Sequence, residues 1–142
     1  MKNIRSPICV VVGHIDHGKS SILDRIRNTN ITSTEAGGIT QAISFTNLNI
    51  KNIKQMCGNL LENLKINLTI PGLLFLDTPG HAAFNNLRKR GGNLADISIL
   101  VIDINEGLKE QTIESINILK EYKTPFIIPA NKNDLIQGCQ KK

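Results

Sequence analysis

The chain of 142 residues suits a single domain, with 40% apolar and only 4% aromatic content, so an aliphatic core is expected. No apolar run approaches the ~20 residues of a membrane span and no signal peptide heads the chain; no membrane partner and a cytoplasmic location are expected. A net charge of +5 favours a polyanionic neighbour, while Cys9, Cys57 and Cys139, widely spaced and without a C-x-x-C pair, read as reduced thiols rather than a disulfide or metal site.

In chain order, the apolar run Ile8 to Val12 predicts a strand near 8–12. It leads into Gly13-His14-Ile15-Asp16-His17-Gly18-Lys19-Ser20 and a helix near 19–27. This is a phosphate-binding loop in its strand–loop–helix setting. Glycines let the backbone wrap a phosphate, so successive N–H groups and the positive end of the helix point at one anion. Lys19 adds a full charge towards the β- and γ-phosphates, and the Ser20 hydroxyl suits Mg²⁺. The nucleotide-lining set runs from Gly13 to Ser21. Structural roles are expected for the imidazoles of His14 and His17, because backbone N–H groups do the binding in such a loop.

Ser33 to Gln41 precedes a strand near 42–48 and contains Gly37-Gly38-Ile39-Thr40. In that place Thr40 can give its hydroxyl to Mg²⁺ and order the segment when a γ-phosphate is bound. Residues 49–70 predict a short helical insertion without chemistry. Leu73 to Leu76 reads as a buried strand, near 73–77, that delivers Asp77-Thr78-Pro79-Gly80. Asp77 is expected to hold Mg²⁺ through a water, and the Gly80 N–H to reach the γ-phosphate.

A strand near 97–102 follows, then a helix near 109–122 with Ile113, Ile116 and Leu119 towards the core and Glu110, Glu114 and Lys120 towards solvent. Phe126 to Ile128 predicts a buried strand, near 126–130, that carries Asn131-Lys132-Asn133-Asp134. A carboxylate at Asp134 can accept from guanine N1–H and N2–H₂, a donor pair that adenine lacks. The order of elements predicts a mostly parallel, doubly wound α/β sheet covered on both faces; with the phosphate loop and the guanine-reading segment the expectation is a P-loop GTPase fold.

These motifs, with Glu35 to Gln41, Asp77 to His81, Phe84 and Leu87-Arg88-Lys89-Arg90-Gly91-Gly92, resemble the translational GTPases. The resemblance is greatest to the initiation factor 5B family of archaea and eukaryotes, the counterpart of bacterial initiation factor 2, and runs from about residue 5 to about 136. It implies a GTPase that helps to join ribosomal subunits, with GTP and GDP as substrate and product and Mg²⁺ as cofactor. By the same resemblance His81 orients the attacking water, Asp16 helps to bind a monovalent cation, and initiator tRNA is met through domains outside this chain. Arg88-Lys89-Arg90 is expected to face ribosomal RNA phosphate, and no DNA partner is expected. Ser20, Ala82, Ser44 and Asn133 depart from the family's usual residues without removing a needed chemical group.

Residues 1–142 are expected to form a G domain without its last strand, base-covering loop and final helix, since little chain follows Asp134. Two other readings stay open on the sequence: a GTP-gated binding module with little catalysis of its own, and an inactive truncated remnant.

Overall fold

Alternation along the first strand organises the fold. In the computed structural model, which describes residues 3–14, 16–28, 44–77, 95–136 and 138, strand β1 spans Ile8–Gly13. Its Cys9 and Val11 enter one core cluster and its Val10 and Val12 another, so a single strand supplies both faces of the sheet.

The first cluster takes Leu23 from helix α1 (Lys19–Asn28), Leu48 from strand β2 (Ser44–Asn49), Ile53 from helix α2 (Ile50–Cys57) and Phe75 from strand β3 (Gly72–Asp77). Asn49 caps α2, its side-chain oxygen accepting from the Asn52 amide at 2.9 Å, and a short helix α3 (Leu60–Asn63) completes the insertion. The second cluster joins Leu76 of β3, Leu100 of strand β4 (Ile97–Asp103) and Leu119 of helix α4 (Glu110–Glu121).

The sheet runs β2-β3-β1-β4-β5, where β5 is Phe126–Ile127, and strand β6 (Ala130–Asn131) pairs with the far end of β4. β2 is antiparallel to β3; the other pairings are parallel. Such a sheet gathers the carboxyl ends of β1, β3, β4 and β6 along one edge, where open α/β folds bind ligands. At the opposite edge Asp96 fastens the chain's start to β4: it takes both guanidinium nitrogens of Arg5 at 2.7 and 2.8 Å and the Ile8 amide at 2.7 Å. The Arg5 hydrogen bonds hold the Asp96 carboxyl below the usual carboxylate range, and burial pushes the Cys9 thiol up to about 11.

Two expectations are corrected. The run 126–130 does not form one buried strand: Pro129 interrupts it, splitting the pairing with β4 into β5 and β6. Phe126 alone packs against the core, with Ile127 54% and Ile128 50% exposed, because no strand lies beyond β5 among the described residues. In α4, Ile113 is 48% exposed rather than in the core. The buried line is Thr112, Ser115, Ile118 and Leu119, with Ile116 half-buried beside it. Local bonds satisfy the two hydroxyls: Thr112 Oγ1 accepts from the Lys109 amide at 3.4 Å, and Ser115 Oγ donates to the Gln111 carbonyl at 2.9 Å. They face the sheet without stranding a polar atom, and their small size lets the helix lie close.

Leu23 is fully buried at the contact of α1 with the sheet. Leu23→Ala is expected to lower the unfolding free energy by about 2–5 kcal/mol. Urea unfolding of the two proteins checks this, and a loss below about 1 kcal/mol would contradict the core assignment.

A candidate nucleotide-binding site

Gly13 ends β1 opposite Val101 of β4, where a Cβ would meet the Val101 carbonyl oxygen at 2.7 Å. The chain then turns through His14 and Asp16 (φ 69°) to Gly18 (φ 89°), the His17 amide donating to the His14 carbonyl at 3.3 Å. At Gly18 only glycine fits, since a Cβ would fall 2.0 Å from Asn131 Nδ2 as well as demanding a left-handed backbone. Helix α1 begins at Lys19, and its Ile22 amide bonds the Gly18 carbonyl at 3.1 Å. The turn thus presents a helix N-terminus, with Ser20 and Ser21 exposed in it.

Two further segments converge on this loop. Asp77, the last residue of β3, puts Oδ1 3.4 Å from Lys19 Nζ; that oxygen is buried and makes no hydrogen bond. From the other side Asn131 Nδ2 donates to the His17 carbonyl at 2.9 Å, and Lys132 Nζ donates to the Asp16 carbonyl. Residues 114 and 116 positions apart in sequence therefore clasp one loop. Asp134 stands exposed in the 3-10 turn Asn133–Leu135 that follows.

The clasp rests on residues that the sequence reading passed over. Asp103, buried at the end of β4, pairs with Lys132 Nζ at 2.8 Å and accepts from the Asn105 amide and side chain at 2.9 and 3.1 Å. Asn105 Nδ2 also donates to the Lys132 carbonyl at 3.1 Å, holding Lys132 in its left-handed conformation (φ 61°). The Lys132 hydrogen bond leads in drawing the Asp103 carboxyl down to about 2, and the same bond raises the Lys132 ammonium. Next along the turn, Glu106 Oε2 lies 3.2 Å from Nε2 of the fully buried His17, and this contact leads in lowering the Glu106 carboxyl. A signal for these residues was present: Asp103-Ile104-Asn105-Glu106-Gly107 ends a continuous apolar strand, the position at which α/β sheets carry functional groups.

Of the expected site, the structure thus brings together Gly13, His14, Asp16, His17, Gly18, Lys19, Ser20, Ser21, Asp77, Asn131, Lys132 and Asp134 along one sheet edge. Ile15, Thr40, Gly80, His81 and the Arg88-Lys89-Arg90 run lie outside the described residues, as does Cys139. A glycine-shaped loop at a helix N-terminus, with a lysine and an orphaned carboxylate oxygen beside it, is suited to a phosphorylated ligand together with a hard cation.

Comparison with known proteins agrees with this chemistry. The family model described as the elongation factor Tu GTP binding domain matches residues 4–142. The chain is 59% identical over 138 residues to a probable translation initiation factor IF-2 of Thermococcus sibiricus, and 60% identical over 139 residues to one of Methanococcus maripaludis. These alignments cover 97% and 98% of the chain but 23% of each relative, so the chain spans under a quarter of their length. The crystal structure of GDP-bound aIF5B from Aeropyrum pernix superposes with a TM-score of 0.81 at 50% identity, covering 99% of this chain and 23% of that one. The phosphate loop, the clasp that holds it and these likenesses agree, and the chain belongs to the family of elongation factor Tu GTP binding domains.

Proposed function

We propose that the chain is the GTP-binding and GTP-hydrolysing domain of a translation initiation factor that promotes the joining of ribosomal subunits. The observation that carries this reading is the clasp of Asn131 and Lys132 on the carbonyls of His17 and Asp16, which brings the segment expected to read the base against the loop expected to hold the phosphates. The relatives named initiation factors, and the GDP in the Aeropyrum pernix structure, support the same reading.

In the proposed reaction water attacks the γ-phosphorus of GTP, the bond to the β-γ bridging oxygen breaks, and GDP and phosphate leave. Lys19, 14% exposed at its side chain, supplies positive charge where negative charge builds on the β- and γ-oxygens. The backbone from Gly13 to Gly18 and the first turn of α1 hold the phosphates. Asp134 reads the guanine edge, while Asn131 and Lys132 keep that reader in register with the loop. Ser20, Thr40 and Asp77 would hold Mg²⁺, and the buried, unbonded Asp77 Oδ1 fits that role. When bound, the ion neutralises phosphate charge. The roles of Thr40, Gly80 and His81, with His81 orienting the water, rest on the family resemblance. So do the monovalent cation at Asp16, the contact of Arg88-Lys89-Arg90 with ribosomal RNA, and initiator tRNA as a partner of the longer protein. Among the described residues no helix is long and apolar enough to cross a membrane.

Lys19→Ala is expected to weaken GTP binding at least tenfold at physiological Mg²⁺, since a charge-assisted contact contributes about 1.5–3 kcal/mol. Calorimetry decides this, and unchanged affinity would remove the phosphate-loop assignment. Asp134→Asn turns an acceptor into a donor that faces the guanine amino group. GTP affinity is expected to fall at least tenfold, at about 1–3 kcal/mol per unsatisfied group, while xanthosine triphosphate, with a carbonyl at the 2-position, binds more tightly than to the parent. A variant that keeps its GTP affinity and gains nothing for the xanthine nucleotide would show that Asp134 does not read the base.

A further inference from the structure

Nucleotide binding accounts for the backbone of the phosphate loop but leaves its two imidazoles unexplained. His14 and His17 stack at 5.0 Å between ring centroids, tilted by 43°. His17 is fully buried, and its Nδ1 has no hydrogen-bond partner. Its Nε2 faces Glu106 Oε2 at 3.2 Å, from a turn 89 residues away in sequence. One donor atom from each of His14, His17 and Glu106 lies within 4.8 Å of the other two.

We propose that His14, His17 and Glu106 form a three-ligand site for a zinc-class divalent metal ion, distinct from the Mg²⁺ position at Ser20 and Asp77. Two imidazoles and one carboxylate make a donor set for zinc, cobalt or nickel, whereas Mg²⁺ prefers oxygen ligands alone. Tetrahedral zinc with bonds near 2.0–2.2 Å places its ligand atoms about 3.3 Å apart, close to the existing separation of His17 and Glu106. The remaining approach is at most about 1.5 Å for the outermost donor. Glu106 is 43% exposed on a turn, and His14 is only half-buried.

The nitrogen that faces Glu106, Nε2, is the ligand atom of His17 in this arrangement. Lys109 Nζ, 3.5 Å from Glu106 Oε2 and 43% exposed, lies at the solvent side and can swing away as the ion arrives. The fourth position stays open to water. An ion so held would tie the phosphate loop to the turn after β4, adding a second fastening beside the Asn131 and Lys132 clasp.

The test is zinc titration of the chelator-stripped chain by calorimetry in excess Mg²⁺, alongside His14→Ala and Glu106→Gln, with circular dichroism to establish that each variant is folded. The inference requires one zinc per chain at micromolar or tighter affinity, about tenfold or more weaker binding in each variant, and an absorption spectrum of tetrahedral cobalt when Co²⁺ replaces zinc. Variants that bind zinc as tightly as the parent would overturn it, and so would a parent chain that shows no saturable site or loses its zinc to Mg²⁺. Glu106 sits on an exposed turn, so Glu106→Gln keeps the test decisive even if the His14 variant fails to fold.

Discussion

The arrangement depends on one interaction, the grip of the Asn131-Lys132 segment on the carbonyls of His17 and Asp16. A phosphate loop is a chain of amides aimed at an anion, and without that anion little in the loop itself keeps the amides converged. Here two side chains 114 and 116 positions away in sequence hold it by its carbonyls. Sheet order makes the reach possible: β1 lies beside β4, and β6 pairs with the end of β4 so that Asn131 is registered on Asp103. A one-residue slip between β4 and β6 would carry Lys132 away from the buried carboxylate that anchors it.

The grip also explains where the backbone is unusual. Asp16 and Lys132, both non-glycine residues, adopt the left-handed conformation, at a cost of about 1 kcal/mol or more each. They face one another across the clasp, where Lys132 Nζ reaches the Asp16 carbonyl and Asn105 and Asp103 secure Lys132 from behind. At the neighbouring loop–helix junction a Cβ on Gly18 would displace the Asn131 amide from its place and require a left-handed backbone. Strain and close approach thus gather where the Asn131-Lys132 segment meets the loop before α1, and a loop held in this way has its amides oriented before any ligand arrives.

Local chemistry was legible in the sequence and distant pairing was not. The phosphate loop, the Asp77 strand end and the Asn131 to Asp134 segment each declare themselves within a few residues, because each is a short motif after an apolar run. The strands β1, β3 and β4 were legible for the same reason, their continuous apolar runs being what a doubly covered parallel sheet requires. Helix α4 was misread at Ile113 because apolar spacing alone cannot anticipate that Thr112 and Ser115 turn inward once their hydroxyls are bonded locally. The segment from Phe126 was misread because its hydrophobicity suggested burial on both faces, while the structure leaves β5 with one neighbouring strand among the described residues. Asp103, Asn105 and Glu106 act through partners between 27 and 89 residues away, a relation no local pattern contains.

On this reading the clasped loop and the Asp134 turn form a single guanine-nucleotide site. Titration of the chain with GDP and with ADP under identical Mg²⁺ and salt conditions tests it most directly, because both nucleotides offer the same phosphates and differ in the base. One GDP per chain is expected, with ADP at least about tenfold weaker, because adenine offers the Asp134 carboxylate no donor pair and a hydrogen bond to a charged group contributes about 1.5–3 kcal/mol. Equal affinity for the two would contradict it, leaving a phosphate loop that reads no base.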